Sequence, residues 1–95
     1  MKPRVTINLT SAGELEIHLN AEGRDLFVKE LQALNKGNEH FHMGTEDEYF
    51  EEIELSKIPY RSDDKILAWA KVLFRSDEWD RQYCPHVFGP ESKSN

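Results

Sequence analysis

The chain predicts an α+β fold: a β-hairpin, then one amphipathic helix packed on one face of a mainly antiparallel sheet of four to five strands, in the order ββαβββ. Three features of the sequence carry this expectation. Two matched segments with period-two alternation open the chain, a stripe of apolar residues at helical spacing follows, and further alternating segments downstream need sheet partners.

Val5, Ile7 and Leu9 alternate with Arg4, Thr6 and Asn8, and Leu15, Ile17 and Leu19 alternate with Glu14, Glu16 and His18. The Thr10-Ser11-Ala12-Gly13 segment between them supplies turn residues, with Gly13 free to take a positive φ. Asn20 suits the N-cap of a helix over residues 21–35, in which Phe27, Leu31 and Leu34 form a stripe widened by Leu26 and Val28. Glu22 and Asp25 near the start and Lys36 at the end complement the helix dipole, Gly37 is placed to end the helix, and Gly23 weakens its first turn.

Asn38-Glu39-His40-Phe41-His42-Met43 reads as an extended strand. Successive side chains then point to opposite faces, so Phe41 and Met43 face the core while His40 and His42 share the other surface. An acidic stretch follows, with Glu46, Asp47, Glu48, Glu51, Glu52 and Glu54 interrupted by Tyr49 and Phe50. Ile53 and Leu55 alternate with Glu52 and Glu54, which reads as a strand from residue 50 or 51 to Leu55; a short helix over residues 46–51 is the alternative. Pro59 and the Arg61-Ser62-Asp63-Asp64 segment form a loop.

Residues 66–75 fit a helix capped by Ser62 or Asp63, and equally a strand. The need of the other strands for partners favours the strand, which would leave Leu67, Trp69 and Leu73 on an uncovered face. Such an apolar patch points to a partner or to a homodimer through those three residues. From Ser76 the chain reads as an irregular tail anchored by Trp79, Tyr83 and Phe88. The expectation is one domain over residues 1–90 and a disordered end over residues 91–95.

Ninety-five residues suffice for one core but bury only about 60–70% of the unfolded surface. The 18 acidic and 12 basic residues give a formal net charge of −6, which works against binding to nucleic acid or an anionic membrane and suits a basic protein partner. The longest apolar run, Ile66–Ala70, is too short to span a bilayer. The amino terminus carries no signal-peptide pattern and Cys84 is the one cysteine, so the expected location is the cytoplasm.

The pair His40 and His42, with His18 on the second strand and Glu52 or Glu54 for oxygen, raises a metal site and a metal-dependent enzyme as an alternative. No local motif fixes a third ligand, so no metal and no cofactor is assigned. Cys84-Pro85-His86 places a thiol near an imidazole without a reason for contact, and no glycine-rich phosphate loop occurs. The expectation is therefore a binding protein rather than an enzyme. The candidate contact residues are His40, His42, Glu46, Asp47, Glu48, Tyr49, Glu52 and Glu54. An edge of solvated charge that blunts aggregation is the plainer account of the same acids.

The order of hairpin, helix ending in Gly37 and Asn38-Glu39-His40-Phe41-His42-Met43 resembles the bacterial immunity protein family thirty-two. The match falls on Gly37, His40 and His42, more loosely on Leu31 and Leu34, and covers roughly residues 13–55. The resemblance implies a small cytoplasmic protein that neutralises a cognate toxin by direct contact. An acidic inhibitor suits a nuclease-type toxin, whose substrate groove is basic. Reversing Glu48, Glu52 and Glu54 together is then expected to slow association, most visibly at low salt.

Overall fold

The computed structural model describes residues 2–45 and 51–90. The α+β class is as expected, and the hairpin forms as the alternation dictates. Strands Val5–Leu9 (β1) and Leu15–Leu19 (β2) pair antiparallel, with Val5 opposite Leu19 and Leu9 opposite Leu15. Gly13 closes the turn at a φ of 87°.

Helix Ala21–Gln32 (α1) starts at Asn20, whose side chain accepts the Gly23 N–H at 2.7 Å. That same oxygen accepts the Arg4 N–H at 2.9 Å, while the Asn20 amide donates to the Lys2 carbonyl. Asn20 thus ties the amino end of the chain to the helix start. Gly23 belongs to this contact: a Cβ there would overlap the Arg4 carbonyl oxygen, so the weak helix former is what the close approach requires. The helix ends earlier than expected, and Gly37 is not its left-handed cap. Asn35 and Asn38 instead exchange backbone hydrogen bonds in a tight turn, and the Asn38 amide donates to the Ala33 carbonyl. The apolar stripe also divides. Leu26, Phe27 and Leu34 pack on the core, whereas Val28 and Leu31 are exposed.

Strand His40–Gly44 (β3) pairs antiparallel with Trp69–Leu73 (β6) and parallel with the short strand Ile53–Glu54 (β4). Another short strand, Lys65–Ile66 (β5), pairs with β1. One sheet of four to five strands is therefore replaced by two three-stranded sheets, ordered β2-β1-β5 and β4-β3-β6. They are laced together along one edge of β1. The Val5 carbonyl accepts from Ser56 N–H and the Ile7 carbonyl from Leu67 N–H, while Gly44 and Thr45 of the other sheet bond Leu55 and Ala68. Segments near 55 and 67 each cross from one sheet to the other, so the strand phase breaks between β5 and β6. Leu67 consequently packs on the core, not beside Trp69 and Leu73.

The core comprises Val5, Ile7, Phe41, Met43, Ile53 and Leu55, with the Phe27 ring edge-on to Phe41 at 5.9 Å. The tail is more regular than expected. Ser76 caps a helix over Asp77–Tyr83 (α2) by accepting the Trp79 N–H, and a 3-10 turn follows over Pro85–Phe88. Residues 91–95 lie outside the described residues. Among those described, no helix is long and apolar enough to cross a membrane.

Candidate functional site

The two faces of β3 follow its alternation. Phe41 and Met43 are buried beneath α1 and the crossing segments, and His40 and His42 stand together on the opposite face with ring centroids 4.8 Å apart and nearly perpendicular. Residues opposite one another in neighbouring strands share a face. The register puts Leu73 beside His40, Lys71 beside His42, and both Trp69 and Glu54 beside Gly44. The polar face expected around the histidines and the apolar patch expected around Trp69 and Leu73 are one surface. Sequence alone left them separate because the register between β3 and β6 spans residues about thirty apart.

Glycine at position 44 makes room for an aromatic cover. A Cβ there would meet the Trp69 ring at 2.6 and 2.7 Å and the Glu51 carboxyl carbon at 3.0 Å. The indole therefore lies across the backbone of β3 and still leaves 48% of the residue exposed. A rigid, half-exposed aromatic of this kind has little entropy left to lose on contact.

Glu52 is held in place. Its Oε1 accepts the His42 backbone N–H at 2.9 Å and lies 3.8 Å from His42 Nδ1. Glu54 is on the rim, 3.6 Å from Lys2 Nζ in an exposed ion pair. At the far end of the face, Arg75 lies 3.9 Å from Glu39 and stacks 4.3 Å over Trp79, linking α2 to the end of β3. Of the other candidate contact residues, Glu46, Asp47, Glu48 and Tyr49 fall outside the described residues, as does Phe50. Their described flanks, Gly44–Thr45 and Glu51–Glu52, border this face.

His18 does not join the pair. It lies on the hairpin sheet, where its ring stacks on Tyr60 at 3.9 Å and bonds Glu16 at 3.1 Å. Among the described residues, no group of three His, Cys, Asp or Glu side chains is placed to hold a metal ion. A second polar constellation, which the sequence did not disclose, surrounds His18. Arg61 grips Glu16 through two hydrogen bonds of 2.7 and 3.0 Å and reaches buried Asp64 at 2.9 Å. Asn8 donates to both carboxylates. The Arg61 guanidinium, helped by Asn8 and His18, holds the Glu16 carboxyl down at about 2 instead of 4.5, and the two carboxylates push Arg61 upward. These partners come from positions 8, 16, 18 and 60–64, so no local pattern could announce them; the Arg-Ser-Asp-Asp run looked like a solvated loop.

The histidine face offers an imidazole pair, an oriented carboxylate, an ammonium at Lys71 and two half-exposed apolar anchors. No family model matches this chain, and neither a curated protein nor a solved structure matches it.

Proposed function

We propose that this chain is a small acidic binding protein, acting as an immunity protein that neutralises a basic toxin domain by direct contact through the outward face of β4-β3-β6. One observation carries the reading: His40, His42, Trp69 and Leu73 occupy one continuous sheet surface bordered by Glu52 and Glu54. Half-exposed aromatic and aliphatic anchors supply contact area, and carboxylates at the rim steer a cationic partner. The net charge of −6 acts in the same direction. The resemblance to the immunity family over roughly residues 13–55, carried by Gly37, His40 and His42, is in line with the same role.

The test is binding of a basic toxin domain, sought first in the reading frame beside this chain, followed by stopped-flow fluorescence across a salt series. Association is expected to slow as salt rises, and to slow further when Glu48→Lys and Glu54→Lys are combined. Glu52 is left unchanged because it also bonds β3. Trp69→Ala is expected to weaken the complex about tenfold or more, mainly through faster dissociation. A salt-independent association rate, or full affinity in Trp69→Ala, overturns the assignment.

A further inference from the structure

The outer strand of the hairpin carries an unsatisfied surface of its own. Among the described residues β2 pairs only with β1, and it carries no lysine, no proline and no bulge to protect its open edge, its one carboxylate, Glu16, being tied to Arg61. Its apolar side chains are open, with Leu15 at 55%, Ile17 at 48% and Leu19 at 40% exposure. They lie on the same side of the sheet as the core residues Val5 and Ile7, yet α1 does not cover them. A shallow hollow lined by Ile17, Leu19, Asn20, Ala21 and Arg24 continues this surface onto the helix. Val28 and Leu31 follow Arg24 at helical spacing and are themselves exposed.

The backbone of β2 points the right way for another strand. The Thr10 N–H donates to the Glu14 carbonyl, and the Asn20 N–H to the Arg4 carbonyl. Hydrogen-bonded pairs alternate along an antiparallel ladder, so Glu16 and His18 spend their backbone groups on β1. The N–H and C=O groups of Leu15, Ile17 and Leu19 face outward.

We propose that two copies of this chain associate through β2, antiparallel about a two-fold axis at Ile17, to join their hairpin sheets into one. The sequence of the strand, Leu15-Glu16-Ile17-His18-Leu19, selects a second copy as the occupant. Reversed on itself about Ile17, it sets Ile17 against the partner's Ile17, Leu15 against the partner's Leu19, and Glu16 against the partner's His18. Apolar residues meet apolar residues, and each carboxylate meets an imidazole rather than another carboxylate. The parity also closes. All three apolar pairs fall at hydrogen-bonded positions, giving roughly six interchain hydrogen bonds. The partner's Leu15 then lies beside Leu19, at the mouth of the hollow on α1. This surface is distinct from the histidine face, so a dimer leaves both copies of that face open.

Sedimentation equilibrium of the full chain tests the proposal. The mass is expected to rise from 11.1 kDa toward twice that value as concentration passes through roughly the micromolar range, as suits a small interface. Ile17→Lys puts two like charges on the axis and is expected to raise the dissociation constant at least tenfold, with the circular dichroism spectrum unchanged. In a Cys84→Ser background, Ile17→Cys is expected to be cross-linked between chains by a short bis-maleimide, because hydrogen-bonded strand neighbours sit about 5.5 Å apart. Leu31→Cys, exposed but off the axis, serves as the comparison. A chain that stays monomeric at all concentrations overturns the proposal. So does dimerisation undiminished by Ile17→Lys, or equal cross-linking of Ile17→Cys and Leu31→Cys.

Discussion

The two sheets each carry a polar strand face built on the same alternation, and those faces have opposite fates. On the hairpin, Asn8, Glu16 and His18 are roofed by the 60–64 loop: Tyr60 stacks on His18, Arg61 binds Glu16, and Asp64 is buried against Asn8. On the second sheet, His40, Lys71 and Leu73 stay open, and His42 is only half-buried beside Glu52. An alternating strand therefore fixes which residues turn away from the core, but not whether the chain itself later covers them. One polar face has been closed by its own chain and is structural. The other remains available to a partner.

Substitutions that treat the two faces alike should separate them. The largest effect is expected at the roofed face. Asp64→Ala leaves the Arg61 backbone N–H without its acceptor, takes one of the two acceptors of Asn8, and removes the buried half of an ion pair. A loss of about 3 kcal/mol is expected, measured by urea denaturation. Acid should act on the same face. Glu16 is depressed to about 2 in the folded chain against an ordinary 4.5, so its contribution is full above pH 4.5 and fades as pH falls toward 2. Urea midpoints are expected to drop through that window, and to drop less in Arg61→Ala, which starts out less stable.

The open face should respond in binding rather than stability. Gly44→Ala forces the Trp69 ring aside, and a half-exposed side chain can move at a cost of about 1 kcal/mol or less. A red-shifted indole emission in a Trp79→Phe background, with weaker binding of the proposed partner, is the expected result. Gly23→Ala is the contrasting case, because the obstacle there is the Arg4 backbone; it should unfold more readily than Gly44→Ala. The smallest effect is expected for His40→Ala, within about 0.5 kcal/mol of the parent in urea denaturation.

What was legible in the sequence was local. Period-two alternation placed β1, β2 and β3 and set Phe41 and Met43 inward, and the Asn20 cap marked the start of α1. The long-range register was not legible. The parallel pairing of β4 on β3, the division into two sheets and the crossing at Leu67 depend on which distant segments meet. Leu31 fitted the helical stripe but faces outward, since the stripe was wider than the core available to receive it. The second helix does carry a local signal: Ser76 followed by Asp77 and Glu78 marks a helix start, but the helix spans only seven residues and its spaced aromatics read equally as anchors of an irregular tail. Joining Trp69 and Leu73 to the histidine face required the β3–β6 register.

The shared edge of β1 has a consequence for how the chain is made. Its inner backbone groups wait for Ser56 and for residues 65–67, which leave the ribosome long after the hairpin does. At ordinary translation speeds that interval is roughly 2–10 seconds. The nascent hairpin thus emerges with both edges unpaired, and this brief exposure is the point at which a chaperone or a premature partner has most to gain.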